Sequence, residues 1–106
     1  MNKKHLDYTL DVMKRLLACD SPTGFTRQAA EFCINEFRAL GYEPKLTGKG
    51  GVFCDLGGKE TDNGLLLSAH IDTLGAMVHS VKANGRLKMV GDGLNANNIE
   101  TETVRV

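Results

Sequence analysis

The sequence predicts an α/β chain, and three features carry that prediction. Two segments near the start have helical apolar spacing. The run Leu65-Leu66-Leu67-Ser68-Ala69 is solidly apolar, as in a strand buried on both faces. The segment after Gly75 alternates with period two. At 106 residues there is room for one small domain with little surplus stability.

The first helix is expected over residues 4–19, where Leu6, Leu10, Met13 and Leu17 form one apolar stripe. Asp20-Ser21-Pro22-Thr23-Gly24 ends it, because this is a dense turn signal and Pro22 disfavours helical geometry at Ser21. A second helix is expected over 26–40. Thr26 stands at the N-cap and Phe25 is placed to staple onto the first turn. Ala30, Cys33, Ile34, Phe37 and Leu40 form its stripe, and Gly41 takes the C′ position.

Extended runs follow. Tyr42–Leu46 contains a proline and reads as an edge strand, and Val52–Leu56 reads as a second strand. The apolar run at 65–70 should be an interior strand flanked by both helices. Residues 76–81 and 86–90 should form a hairpin across Ala83-Asn84-Gly85. Thr103–Val106 begins another strand-like run, from which Val106 is expected to be a truncation point. Two regions emerge, residues 1–74 and residues 75–106, the second resembling hairpins of a different, more exposed sheet.

Composition excludes several function classes. Hydrophobic residues make up 42% and charged residues 25%, an ordinary soluble balance. Thirteen basic and thirteen acidic residues cancel, so nothing electrostatic favours nucleic acid or an anionic membrane. The basic start Met1–His5 is not followed by the apolar run of a secretory leader, and no segment is apolar enough to span a bilayer. Cys19, Cys33 and Cys54 are far apart without a CxxC spacing, which suits reduced thiols in a cytoplasmic protein and not a zinc knuckle.

The chemistry-bearing feature is His70-Ile71-Asp72 at the end of the apolar run. On a strand, residues two apart share a face, so the imidazole and the carboxylate would be neighbours. Metal-bound histidines commonly donate their second ring N–H to a carboxylate, which fixes tautomer and orientation. His70 as a metal ligand held by Asp72 is therefore physically sensible. The end of a strand in an open α/β sheet is also where ligands bind. A lone His-x-Asp also arises by chance, and spacing takes the argument no further.

The wider segment Leu67-Ser68-Ala69-His70-Ile71-Asp72-Thr73-Leu74-Gly75-Ala76-Met77-Val78 resembles the signature of the glutamyl-aminopeptidase and tetrahedral-aminopeptidase family of dinuclear metallopeptidases. Ser21-Pro22-Thr23-Gly24 resembles the turn after that family's first helix, and residues 26–40 resemble its second helix. Near Gly93 the family often has a glycine pair, which Asp92 interrupts here. The resemblance implies a cytoplasmic homo-oligomeric hydrolase acting on peptide substrates, with two divalent metals, zinc or cobalt, sharing an activated water. It implies a partial α/β/α catalytic sandwich over residues 1–74 and the start of a β-rich inserted dimerisation domain over 75–106. His70 would bind one metal and Asp72 would orient it. The remaining ligands and the general base would lie beyond Val106, so the chain alone would be inactive and would bind zinc weakly. Cut sheet edges and uncovered leucines would favour self-association.

Two other readings remain open at this point. One is a His-x-Asp zinc hydrolase of the carboxypeptidase and deacylase type, although hairpins directly after residue 75 argue against it. The other is a non-catalytic β-rich interaction module. The remaining polar candidates are structural or solvated: His5 at the start of the first helix, His79 in an alternating strand, and Glu100 and Glu102 in a polar stretch. Gly48, Gly50 and Gly51 are not followed by the helix that a phosphate loop needs.

Overall fold

The computed structural model describes residues 2–60 and 62–106. Helix α1 spans Lys3–Leu17. It starts at Asn2, whose Oδ1 accepts from the Lys4 N–H at 3.2 Å, a cap that satisfies one of the free donors of the first turn. Lys14 and Arg15 occupy its last turn, where positive charge suits the helix dipole. Helix α2 spans Arg27–Ala39 and ends with Gly41 at φ +89°. Thr26 sits at the N-cap position but makes no side-chain capping bond, and Phe25 stays mostly exposed, so the expected staple does not form.

Four short strands follow: β1 (Lys45–Leu46), β2 (Val52–Phe53), β3 (Gly75–Val81) and β4 (Leu87–Asp92), then a 3-10 turn at Ala96–Asn98. They form two separate antiparallel pairs, β1–β2 and β3–β4, so the chain is mixed α/β. In the first pair Lys45 faces Phe53. Its turn is closed by the Thr47 hydroxyl and carbonyl, which accept from the Gly51 and Gly50 N–H groups. In the second, Gly75 faces Asp92 and Val81 faces Leu87, with a register shift between Val78 and Ser80. The hairpin closes where the Gly85 N–H donates to Lys82 and the Lys82 N–H donates to Arg86.

The helices meet through a polar clasp above an apolar groove. The Arg15 guanidinium binds Glu36 at 2.7 Å and Asp11 at 2.8 Å, and it lies 5.2 Å from the Phe32 ring centroid. Tyr8 donates to the other Glu36 oxygen at 3.3 Å. The Arg15 hydrogen bond holds the Glu36 carboxyl below its usual range, while partial burial and Glu36 itself push the Tyr8 hydroxyl up. Val12, Leu16, Phe32 and Phe37 line the groove beneath.

Three expectations need correction. The stripe Leu6, Leu10, Met13 and Leu17 is exposed, because the face of α1 that meets α2 is the adjacent one carrying Tyr8, Val12 and Leu16. The interior strand at 65–70 is absent: these residues join no ladder, and Leu65, Leu66 and Leu67 are 86%, 77% and 80% exposed. A strand buried on both faces needs neighbours on both edges, and no other strand among the described residues pairs with it. For the same reason Thr103–Val106 forms no strand.

The consequence is an open shape. Among the described residues only Ser21, Ala29, Ala30 and Pro44 are buried. The radius of gyration is 18.2 Å, against about 13 Å for a compact chain of this length. No helix among the described residues is long and apolar enough to cross a membrane.

Candidate metal-ligand site

The site begins with the turn after α1. Pro22 and Phe25 close a turn in which the Phe25 N–H donates to the Pro22 carbonyl at 2.7 Å. Gly24 occupies its third position at φ +89°, a conformation that a side chain would strain. This turn grips the His-x-Asp segment from the side. The Thr73 N–H donates to the Ser21 carbonyl at 2.8 Å, and the Thr23 N–H donates to the Thr73 carbonyl at 3.3 Å, a parallel bridge around Pro22. Proline fits there because the donors come from Thr73 and Thr23, not from Pro22 itself. The buried Ser21 hydroxyl adds a third bond, to the Ile71 carbonyl at 2.9 Å. Gly75 must lack a side chain, since a Cβ there would run into the Pro22 ring.

His70 and Asp72 come together as their spacing predicts. His70 Nδ1 lies 3.1 Å from Asp72 Oδ1 and 3.2 Å from the Asp72 carbonyl oxygen. A carboxylate and a carbonyl only accept, so the proton must sit on Nδ1. In the neutral ring this leaves the lone pair on Nε2, and the side chain is 85% exposed. That is the tautomer a metal-binding imidazole uses when a carboxylate holds its other nitrogen. The other carboxylate oxygen, Oδ2, accepts from the Thr23 hydroxyl at 3.0 Å. This bond is the main cause, ahead of the Asp72 N–H and His70, of a carboxyl held below its ordinary range. Leu16, Leu17 and Ser21 join residues 70–73 around a shallow hollow of about 180 Å³, apolar on the α1 side.

These donors fit one corner of a metal centre. One imidazole presents an open nitrogen, but no group of three His, Cys, Asp or Glu gathers among the described residues. His79 turns its Nδ1 to the Ser80 hydroxyl at 3.3 Å, next to the register shift of β3. Glu100 and Glu102 are exposed beyond the 3-10 turn, and His5 is exposed on α1. Cys19, Cys33 and Cys54 are free thiols, and burial pushes that of Cys33 up. The residues that sequence reasoning missed are Ser21 and Thr23. They register in the sequence only as a turn, because 49 residues separate Thr23 from Asp72.

The sequence profile of the M42 glutamyl aminopeptidase family matches residues 50–106, more than half of the chain. YhfE of Bacillus subtilis (strain 168), an aminopeptidase by provisional name, is 37% identical over 100 residues, covering 92% of this chain and 29% of the relative. The glutamyl aminopeptidase of Lactococcus lactis subsp. cremoris (strain MG1363) is 32% identical over 81 residues, covering 76% of this chain and 23% of the relative. The chain belongs to the M42 glutamyl aminopeptidase family. It spans less than a third of the length of either relative. These matches favour neither the carboxypeptidase and deacylase grouping nor a non-catalytic module.

Proposed function

We propose that this chain supplies the N-terminal part of a metal-dependent aminopeptidase, with His70 as one ligand of a two-metal centre and Asp72 as the group that orients it. The observation that carries the reading is the His70 ring. Its Nδ1 faces two acceptors of Asp72 and the side chain is largely exposed, in a chain whose relatives are named as aminopeptidases.

When bound at such a centre, divalent ions such as zinc or cobalt supply Lewis acidity and an activated water for peptide hydrolysis. The contribution of this chain is narrower. Asp72 keeps the imidazole in the Nδ1–H form, so that Nε2 is the donor. The Ser21–Thr73 bridge fixes the backbone from which both side chains project. A hydrolytic site needs several ligands and a base. The remaining ones belong to the part of the length that this chain does not share with its relatives, so the chain by itself is inactive.

Residues 1–74 then belong to a catalytic α/β/α sandwich and residues 75–106 open a β-rich inserted dimerisation domain, in a cytoplasmic homo-oligomer. Within that sandwich, 65–69 gains the strand neighbours it lacks here. A chimera tests this reading. Residues 1–106 replace the aligned segment of the Lactococcus lactis relative, and hydrolysis of amino-acyl chromogenic substrates is followed. The chimera is expected to hydrolyse them, and Asp72→Ala to cost about 10–100-fold in activity, as loss of such an orienting group does. His70→Ala should cost more. A chimera as active with His70→Ala as without it would rule out the ligand role.

A further inference from the structure

We propose that Thr23 is a positioning residue for the His70 imidazole, acting through Asp72. The proposal rests on the reading of His70 as a ligand, and it adds a residue from the far side of the chain. A free aspartate side chain rotates about its terminal torsion, whose preference is broad and roughly two-fold. Asp72 is on the surface, with its side chain 42% exposed, so packing does little to hold that torsion. Two contacts at opposite ends of the carboxylate do hold it. Thr23 Oγ1 donates to Oδ2 at 3.0 Å, and His70 Nδ1 meets Oδ1 at 3.1 Å. With Oδ2 anchored, Oδ1 is presented to the ring and adds to the Asp72 carbonyl, 3.2 Å from Nδ1, in favouring the Nδ1–H tautomer.

Thr23 is itself fixed. Its N–H donates to the Thr73 carbonyl at 3.3 Å, Ser21 binds Ile71 and Thr73, and Gly75 allows Pro22 to approach. The bridge thus brings the hydroxyl to the carboxylate from a separate turn, so the torsion is set by tertiary structure and not only by the local His-x-Asp sequence. A hydroxyl is well suited to this anchoring, because against an ionised carboxylate it donates, in the stronger charge-assisted class of hydrogen bond.

The test uses the 106-residue chain and the Thr23→Val and Thr23→Ser variants. The backbone bond from residue 23 survives in both, and only serine keeps the donor. Ring nitrogen shifts of His70, recorded at about pH 8.5 where an ordinary imidazole is neutral, read the tautomer directly. The wild type and Thr23→Ser should show mainly Nδ1–H, and Thr23→Val should move towards Nε2–H. Zinc affinity at His70, from the same resonances, should fall about 10-fold in Thr23→Val, the lower end for an outer group, and recover in Thr23→Ser. Amide shifts of residues 71–75 show whether the bridge persists. If valine disturbs them, the proposal is judged on Thr23→Ser against Thr23→Ala. An unchanged tautomer in a hydroxyl-free variant overturns the proposal. A tautomer that follows the hydroxyl while zinc leaves His70 untouched sustains the positioning role and overturns the ligand reading instead.

Discussion

At the residue scale, the contacts that hold the His70 ring and the helix pair join side chains both near and far along the chain. His70 and Asp72 are two apart, and the face-sharing of an extended segment predicts their contact without a fold. Thr23 and Glu36 act across 49 and 21 residues, on Asp72 and Arg15, and no local pattern announces either pairing. Glu36 gives a prediction at this scale. The hydrogen bond from Arg15 lowers its carboxyl below the usual range, so the ionised form is the one that folding favours. The contribution is therefore fully present above the ordinary carboxylate range and is lost as pH falls through the lowered value. Helical circular dichroism should hold through the usual carboxylate range and weaken only below it. Glu36→Gln should remove that acid step. A titration identical in wild type and variant would show that the clasp contributes nothing to the helix pair.

Whole elements were legible where their stability is local. Both helices appear within a residue or two of their expected ends, and the hairpin after Gly75 forms with its turn at Lys82–Arg86. Elements that need distant partners were not. The apolar stripe read on α1 is real in the sequence, but α2 covers the neighbouring face. The leucine run has strand composition without strand neighbours. Both leave apolar surface in water, and such surfaces become interfaces. Light scattering across a concentration series should therefore show association of the chain, and Leu65→Ser, Leu66→Ser and Leu67→Ser combined should reduce it. A dispersed wild-type monomer at high concentration, with cooperative unfolding, would mean that these 106 residues cover their own apolar surface in solution.

At the scale of the molecule, an elongated chain with few buried residues carries a locally well-held site. The bridge from Ser21–Thr23 to Ile71–Thr73 ties the end of the first helix to the His-x-Asp segment even though the apolar run before it is uncovered. That separation explains how the His70–Asp72 pair is held in place in a chain where no group of three His, Cys, Asp or Glu gathers among the described residues. The family was legible in a dozen residues around His70, whereas the described residues form two separate two-stranded sheets and no sandwich. The direct test is a zinc titration of the chain followed at the ring resonances of its three histidines, His5, His70 and His79. The expectation is weak binding led by Nε2 of His70, abolished by His70→Ala, with no hydrolysis of amino-acyl substrates at any zinc concentration. Zinc that goes to His5 or His79 and leaves His70 unshifted, or turnover that disappears on chelation, would contradict it.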